Sequence, residues 1–584
     1  MLFALASCKP GPVESPDTPT EPISEGESTT EAVTTVDPLA FPKEDPNREI
    51  VFFEDGKWTF NIVKPDVACL PVSRTVDTFR YRSSVVTNVG INLTTDYLAT
   101  GQSYDENSYE ILYGNTAHLQ SISGYDRTCL GESGIFVIGN KIVICSYTDS
   151  GFAKCYTHLV ELFTENLKDG KISAKVSEIE KMFNVLDTLS DVPRPDDLKF
   201  SRVENCDYLQ TLYMFEGAKE SDFDSYMKKF SEADLVQEKA EAGNRFATYQ
   251  VGADLVNISY SKHDNIIRTI INENTTASAY LKDSESTVEK KTTNIIVMQG
   301  LGYGSSDADI LDHQNGICIL FRLSDGRFII VDGGFNRQSD ADKLYALLVK
   351  HTPSGMKPTV AAWLITHAHG DHHATFANKF VTTYKSRVEI QSVLFNPPST
   401  ASNKTASNER PAEDLIISVA NSIEGCTFIR PHVGDRYYIG DAAIDFYFTI
   451  DQYYPKTFTY YNTCSLIFSV TIGGQKIMMN GDAANESFKE AIGMFGESLK
   501  CDIVQIAHHG YGTGVSDSLS TSVMQGYKYL SPALVLWPLG NEHYANLSTK
   551  VYNRYLTSLP SVKEIIVAGK AEHVINLPYT PPEK

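Results

Sequence analysis

TVAAWLITHAHGDHHATF, residues 359–376, joins an apolar run to a dense cluster of histidine and aspartate. The run has the length and composition of a buried strand. His367, His369, Asp371 and His372 then follow within six residues. His-x-His places two imidazoles on one side of an extended segment, because side chains alternate along it. Imidazole nitrogen and carboxylate oxygen suit zinc, and also manganese or iron. The pattern therefore predicts a metal cluster at a strand end.

Two later strand-like runs end in the same residue types. KIMMNGDAA, residues 476–484, delivers Asp482, and DIVQIAHHG, residues 502–510, delivers His508 and His509. Either motif alone is weak evidence, since Gly-Asp is a common turn and a histidine pair can simply end a strand. Their recurrence predicts that these side chains meet at one edge of a sheet system.

Apolar strands and amphipathic helices alternate through the rest of the C-terminal half. RFIIVDGG (327–334) predicts a strand, DADKLYALLVKH (340–351) a helix, and a further helix is expected from about Ala374. Buried runs recur at SLIFSVTI (465–472) and ALVLWPL (533–539). Several buried strands separated by helices predict an α/β fold in which helices enclose the sheets.

The full set of motifs resembles the metallo-β-lactamase superfamily: His-x-His-x-Asp-His, a later Gly-Asp and a final histidine. Within it, the chain is most similar to the metallo-hydrolase domain of bacterial DNA-uptake (competence) channel proteins. The motifs that carry this likeness are NTCSLIFSV, with Asn462, Ser465 and Leu466, then NGDAA and AHHGYG. The resemblance spans about residues 295–580 and implies an αββα four-layer sandwich for residues 293–584.

The resemblance also implies a ligand set for one or two zinc ions. The metal ligands expected from it are His367 and His369 on the first ion, Asp371, His372 and His508 on the second, and Asp482 as a bridge. A bound metal lowers the pKa of water from about 15.7 to about 7, which makes hydroxide available for hydrolysis at neutral pH.

Further roles follow from the same resemblance. Asp371 is expected to orient the attacking hydroxide, and His509 to orient substrate or support a ligand. Asp332, at the end of FIIVDGG, matches a strand-end aspartate behind the metal ligands.

One departure from the family leaves the first ion's ligand set open. The usual histidine between the first cluster and Gly-Asp is missing: Asn462 lies near its place, and His432 is the only histidine between residues 373 and 482. Asn462 is instead expected to bind substrate. WPLGNEHYANLS, residues 537–548, adds Asn541 and His543, which either contact substrate or belong to a plain surface loop.

The N-terminal segment predicts export. LFALASC, residues 2–8, resembles the lipobox of bacterial lipoproteins, in which Cys8 would carry the lipid, although no Lys or Arg precedes it. Residues 9–46 are rich in Pro, Ser, Thr and Glu, a composition that predicts a disordered tether. Residues 1–8 are thus read as the remnant of a lipoprotein signal, and the membrane as a partner on the extracellular face of a bacterial cell.

Two small α/β accessory domains are predicted at 47–192 and 193–292, divided by PRPDD at 193–197. Residues 293–584 hold 23 Lys and Arg against 27 Asp and Glu, so the first 292 residues carry −18 of the net charge of −22. Phosphate binding needs clustered Lys and Arg, so no stable nucleic-acid complex is expected.

The motifs and their resemblance imply an exported, lipid-anchored, metal-dependent hydrolase, and the likeness to the DNA-uptake proteins implies a phosphodiester in a small molecule or polymer as its substrate. Two alternatives stay open. One is hydrolysis of a carboxylic ester, amide or lactam. The other is a non-catalytic metal- or ligand-binding surface protein, which the missing histidine favours. Neither Gly-x-Ser-x-Gly nor a phosphate-binding Gly-x-x-x-x-Gly-Lys loop occurs in the sequence.

Overall fold

The computed structural model describes residues 41–66, 68, 70–99, 101–128, 132–146, 148–184, 192–195, 198–282, 288–302, 316–399, 409–454, 456, 458, 460–512 and 521–582. Cys8 and the predicted tether as far as residue 40 lie outside these residues. The last residues assigned to the tether contact the first folded unit, since Phe41 packs against its apolar core and Glu44 accepts a hydrogen bond from the Gly139 amide. None of the helices in the described ranges combines the length and apolarity of a bilayer span.

The described residues of the first unit form two sheets and four helices. Its strands are β1 Glu49–Glu54, β2 Lys57–Trp58, β3 Asn61–Lys64, β4 Leu93–Thr95, β5 Glu110–Tyr113, β6 Glu132–Ile138, β7 Lys141–Cys145, β8 Leu167–Lys168, β9 Lys171–Lys175 and β10 Lys181–Asn184; its helices are α1 Leu70–Thr87, α2 Leu119–Asp126, α3 Asp149–Asn166 and α4 Val176–Ile179. The sheet orders are β2-β1-β9-β8 and β10-β6-β7-β5-β3-β4. β6 and β7 pair antiparallel as a hairpin around Gly139, which has a φ of +60°.

The second unit is one antiparallel sheet with a single α-helix among its described residues. Its elements are β11 Lys199–Asn205, β12 Gln210–Glu216, α5 Glu220–Met227, β13 Asp234–Glu241, β14 Asn244–Val251, β15 Asp254–Ser261 and β16 Ile266–Asn272, in the order β11-β12-β16-β15-β14-β13. The helical spacing of residues 220–235 does not give a helix throughout: α5 ends at Met227, and Asp234 already pairs with Gln250 of β14. Pairing with a neighbouring strand overrides the local helical pattern there.

Two sheets are formed by the part of the third unit that the structure describes. Its strands are β17 Ile295–Met298, β18 Ile319–Arg322, β19 Phe328–Val331, β20 Thr359–Leu364, β21 Glu389–Ile390, β22 Ser392–Leu394, β23 Thr427–Ile429, β24 Arg436–Ile439, β25 Ala442–Phe448, β26 Ile467–Ile472, β27 Gln475–Met479, β28 Ile503–Gln505, β29 Leu534–Trp537, β30 Glu564–Val567 and β31 His573–Asn576. Its α-helices are α6 Gln338–His351, α7 Gly370–Thr375, α8 Val381–Tyr384, α9 Arg410–Asn421, α10 Asn485–Phe495, α11 Thr521–Leu530, α12 Asn541–Leu547 and α13 Val551–Thr557. The sheet orders are β23-β22-β20-β19-β18-β17-β31, with β21 beside β20, and β24-β25-β26-β27-β28-β29-β30.

The two sheets of the third unit face each other, with helices outside them. One apolar core joins Phe321 and Leu364 of the first sheet to Phe446 and Phe468 of the second. Separate cores hold α6 against the first sheet, and α10 and α11 against the second. The predicted α/β class and αββα layering are therefore found in this unit.

The strand directions bring together the strand ends that carry the predicted histidine and aspartate ligands. β19, β20 and β22 are parallel, as are β27, β28 and β29. The amide of Leu466 donates to the carbonyl of Thr366, and that of His508 donates to the carbonyl of Gly481. The ends of β20, β27 and β28 consequently meet at one edge of the sandwich, where ligands of open α/β sheets commonly bind.

Candidate metal centre

A first group of ligand atoms lies where β20 ends. The Nε2 atom of His367 is 3.0 Å from the Nδ1 atom of His369 and 3.9 Å from Oδ2 of Asp482. All three side chains offer a ligand atom within 4.8 Å of the others. His367 and Asp482 are almost fully buried, and His369 is partly exposed. The His-x-His prediction of two imidazoles facing one point is therefore met by the geometry.

A second group adjoins the first and consists of Asp371, His372 and His509. The Nε2 atom of His509 lies 3.4 Å from Oδ2 of Asp371, and the Nε2 atom of His372 lies 3.8 Å from Oδ1 of Asp371. Oδ1 of Asp482 faces this group, at 3.2 Å from His372 Nε2 and 3.5 Å from His509 Nε2. Asp482 thus turns one carboxylate oxygen to each group, as expected of a bridging ligand.

The start of α7 differs from its predicted position. The helix was expected from about Ala374, but it begins at Gly370, so that Asp371 and His372 lie in its first turn. His369 is the residue before the helix, and its carbonyl accepts from the amides of His372 and His373. The helix start therefore links the two groups rigidly.

The polar atoms of the site fit a cation. His372 Nε2, His509 Nε2 and Asp482 Oδ1 are buried, and none of them has a hydrogen-bond partner among the described residues. An unsatisfied buried polar atom costs about 1–3 kcal/mol, more when charged. Three such atoms converging on one point are explained by an ion that binds imidazole nitrogen and carboxylate oxygen, as zinc, manganese and iron do.

The other ring nitrogens are held by acceptors, which fixes the direction of the rings. His372 Nδ1 lies 2.8 Å from Oδ2 of Asp332, and His509 Nδ1 lies 3.2 Å from the carbonyl of Pro538. His367 Nδ1 lies 3.1 Å from Oγ1 of Thr366, which itself donates to Asp332 at 2.9 Å. Acceptors on the far nitrogen are usual for metal-binding histidines. Asp332 occupies the position behind the ligands that the resemblance implied.

His509, and not His508, lies in the second group. The Nδ1 atom of His508 lies 2.8 Å from the carbonyl of Gly512, and its Nε2 atom lies 3.7 Å from Oδ2 of Asp482, on the side of the first group. The sequence-based assignment put His508 in the second group, whereas the structure groups His509 with Asp371 and His372. Both residues have left-handed backbones, with φ of 49° and 52°. Which ring points inward therefore cannot be judged from the distance of each residue to the strand end.

Opposite charges dominate the electrostatics of the second group. Burial lowers the pKa of His372, but the carboxylates of Asp482 and Asp332 raise it well above the usual histidine value. Burial raises the pKa of Asp371, yet the neighbouring His372 and His509 imidazoles bring it down to about 2. Burial also raises the pKa of Asp482, but the His372 and His509 imidazoles more than offset this effect and hold that pKa well below its usual value. The carboxylates are ionised at neutral pH.

In the first group the pKa values of the histidines are lowered. Burial lowers the pKa of His367 well below the usual value, and the nearby His372 and His369 imidazoles lower it further. Burial also lowers the pKa of His369. Both imidazoles are therefore neutral at neutral pH, which is the form that binds a metal.

The residues considered for the missing histidine lie outside both groups. His432 is buried elsewhere, with Nδ1 2.7 Å from Asp451 Oδ2 and Nε2 3.2 Å from Asn272 Oδ1. Asn462 donates to the Tyr460 hydroxyl at 3.1 Å, and its buried Oδ1 has no hydrogen-bond partner among the described residues. His432 therefore does not take the place of the missing histidine, and the substrate role of Asn462 stays a prediction.

Aromatic residues that the sequence did not single out border the site. The ring of Tyr461 lies 5.2 Å from that of His369, and the ring of Tyr511 lies 5.8 Å from that of His508. The Tyr511 hydroxyl is 3.3 Å from Nδ1 of His543, which together with Asn541 lies in α12. The predicted residue His543 is thereby linked to the rim, and its contact with substrate stays a prediction.

No family model and no curated protein sequence matches the chain. Solved structures that align with it include the metallo-β-lactamase fold protein YhfI from Bacillus subtilis, at 14% identity and a TM-score of 0.31, covering 49% of this chain and 99% of that one. CmlA, a diiron β-hydroxylase from Streptomyces venezuelae, aligns at 13% identity and a TM-score of 0.30, covering 49% and 54%. A B3 metallo-β-lactamase with an active-site glutamic acid aligns at 13% identity and a TM-score of 0.20, covering 42% and 85%.

The chain thus spans about half the length of CmlA. At these identities and TM-scores the alignments carry no inference about chemistry, which has to come from the side chains themselves. Those side chains form two adjacent groups of buried nitrogen and oxygen atoms that share Asp482.

Proposed function

We propose that residues 293–584 form a zinc-dependent hydrolase with two adjacent metal sites. The observation that carries the proposal is the convergence of three buried atoms that have no hydrogen bond among the described residues, His372 Nε2, His509 Nε2 and Asp482 Oδ1, beside a second group on His367 and His369. A structural role alone does not account for this arrangement, because unsatisfied buried polar atoms destabilise a fold.

The two groups would each hold one ion. His367, His369 and Asp482 would hold the first, and Asp371, His372 and His509 the second, with Asp482 shared between them. When bound, divalent cations acidify water and stabilise the negative charge that develops on an attacked phosphoryl or carbonyl oxygen.

The chain's own residues would prepare the reaction. Asp371 is ionised at neutral pH, since its pKa is about 2, so its carboxylate can accept a hydrogen bond from the attacking water and orient it. Asp332 and Thr366 fix the histidine rings, so no reorientation is needed when substrate arrives. Tyr460, Tyr511 and His543 border the exposed side, where they would contact substrate.

We propose a phosphodiester as the substrate class. Two neighbouring cation sites that share a carboxylate are the arrangement that serves in-line displacement at phosphorus, where both the attacking and leaving oxygens need stabilisation. Esters, amides and lactams react at such sites as well, so they are the outcomes against which the proposal is tested.

The test is a hydrolysis screen of the zinc-loaded protein and its Asp482→Asn variant. Bis(p-nitrophenyl) phosphate, p-nitrophenyl acetate and a chromogenic cephalosporin would report the three substrate classes. The proposal expects turnover of the phosphodiester above the other two, abolished by Asp482→Asn. Preferred turnover of the acetate or the cephalosporin would reassign the substrate, and no turnover of any substrate by a metal-loaded protein would favour a binding function.

We propose further that the protein is exported and lipid-anchored through Cys8, on the support of the lipobox-like residues 2–8 alone. Metabolic labelling with a radioactive fatty acid tests this. Label in the full chain that is lost in Cys8→Ala would support the anchor, and label retained in Cys8→Ala would contradict it.

A further inference from the structure

Helix α9 lies beside the first metal group and carries two carboxylates toward it. Oε1 of Glu409, the residue before the helix, is 3.8 Å from Nε2 of His369. Oε1 of Glu413 accepts a 2.6 Å hydrogen bond from the hydroxyl of Tyr461, whose ring lies 5.2 Å from that of His369. Glu413 and Tyr461 are both buried. The side wall of the first group therefore depends on where α9 sits.

Glu409 has the position of an orienting group. The far nitrogens of His367, His372 and His509 each face an acceptor at 2.8–3.2 Å. For His369, whose Nδ1 atom faces His367, the far nitrogen is Nε2, and the nearest carboxylate to it is that of Glu409. The carboxylate lies slightly beyond hydrogen-bond distance, so a small shift of α9 decides whether it reaches the ring.

A turn of the second accessory unit holds α9 from the other side. The hydroxyl of Tyr208 donates to Oδ1 of Asp414 at 2.9 Å and to Oε2 of Glu413 at 3.4 Å. The guanidinium of Arg410 stacks on the Tyr208 ring at 4.0 Å and also reaches Oδ2 of Asp207 at 3.3 Å. The segment at Asp207 and Tyr208 thus contacts three residues in the first part of α9, namely Arg410, Glu413 and Asp414.

The conformation of this turn is strained. Asp207, Tyr208 and Leu209 are all left-handed, with φ of 63°, 48° and 58°, and none is glycine. Each such residue costs about 1–2 kcal/mol, and strain of this kind persists where surrounding contacts enforce it, often at functional positions. Arg74 of the first unit also bonds to Asp207, so the turn is held from both accessory units.

We propose that Tyr208 is a positioning residue for the metal centre: it fixes α9, through Glu413 and Asp414, and α9 in turn sets Tyr461 and Glu409 against His369. This inference rests on the proposed function, since it assigns a role toward a bound metal. It makes the second accessory unit part of the catalytic framework.

The experiment is a cobalt(II) titration followed by visible absorption, in backgrounds that leave one group complete. His509→Ala leaves the first group, and His369→Ala leaves the second. Tyr208→Phe removes the hydroxyl and keeps the ring over Arg410. The matched control is Tyr249→Phe, at a buried tyrosine of the same unit whose ring stacks on Phe230 in the core under α5.

The proposal expects Tyr208→Phe to weaken cobalt binding about tenfold in the His509→Ala background, the usual effect of losing a group that orients a metal ligand, and to leave binding unchanged in the His369→Ala background. Tyr249→Phe should change neither. Tyr208→Phe and Tyr461→Phe together should cost less than the sum of their separate losses, because both hydroxyls bond to Glu413 while Tyr208 also holds Asp414.

Unchanged cobalt affinity in a folded Tyr208→Phe protein, or equal losses in both backgrounds, would overturn the positioning role. Glu409→Gln, at a residue whose side chain is 19% exposed, is the second variant and should reproduce the selective loss without disturbing the core. A parent protein that binds no cobalt would contradict the proposed function itself, whereas two bound equivalents with no effect of Tyr208→Phe or Glu409→Gln would contradict only this inference.

Discussion

Asp332→Asn should weaken metal binding at the second group, because it favours the His372 tautomer that carries its proton on Nε2. Asp332 is fully buried, and its Oδ1 accepts from the Thr366 amide at 2.8 Å, which an asparagine oxygen can still do. The new Nδ2 group would then face His372 Nδ1, where the carboxylate oxygen stood at 2.8 Å. Two donors cannot share that contact, so His372 would accept at Nδ1 and carry its proton on Nε2, the atom that faces Asp482.

The expected loss is about 10–100-fold in affinity, or about 1.4–2.7 kcal/mol, the usual effect of losing a group that orients a metal ligand. Backbone strain should not contribute, because Asp332 has a φ of 57° and asparagine tolerates that region. The assay is zinc competition against a chelating dye, with thermal melting of the chelator-treated protein to verify folding.

Asp435→Asn is the matched control, since this buried carboxylate bonds to the His432 amide and the Tyr437 hydroxyl and belongs to neither metal group. It should leave zinc affinity unchanged. An Asp332→Asn protein that folds and binds zinc as tightly as the parent would refute the reasoning about the histidine form.

Four further outcomes are expected. His509→Ala should lose one equivalent of metal while His508→Ala keeps both, which elemental analysis decides; the reverse would restore the sequence-based assignment. On acidification the second group should release metal before the first. Protons compete more strongly for His372 and His509, whose pKa values are raised, than for His367 and His369, whose pKa values are lowered. Metal content after dialysis across pH 5–8 measures the order of release, and simultaneous release would contradict the prediction. Trp363→Ala should destabilise the third unit by about 3–5 kcal/mol, since this fully buried ring packs on Phe376 and Phe380, and denaturant unfolding would show it. Gly481→Ala should lower both the melting temperature and the metal affinity, because the added Cβ would lie 2.7 Å from Cβ of Thr366 at a φ of +49°; an unchanged protein would show that Thr366 can move freely.

The sandwich and most of its metal-facing residues could be predicted because their signals are local. The apolar run at 359–366 and the helical spacing at 340–351 became β20 and α6 within about two residues, since buried strands and amphipathic helices depend on periodicity. His367, His369 and Asp482 follow such strands directly, so their meeting required only parallel strand ends.

What the sequence did not predict depends on backbone conformation or distant contacts. The inward position of His509 depends on two successive left-handed residues, which nothing in AHHG signals for non-glycine residues. Tyr461 and Glu413 are 48 residues apart, and Tyr208 and Glu413 are 205 apart, so no local pattern connects them. The tyrosine pair at 460–461, beside Asn462, was the available hint that this segment lines the site.

The most direct test is the metal content of purified residues 41–584 by elemental mass spectrometry, after loading with zinc and removal of free metal, with His369→Ala and Asp482→Ala measured alongside. Two adjacent groups sharing Asp482 predict about two equivalents per chain in the parent, with binding reduced in His369→Ala and almost lost in Asp482→Ala. A folded parent that retains no zinc, or three proteins with equal metal content, would contradict the existence of the metal centre.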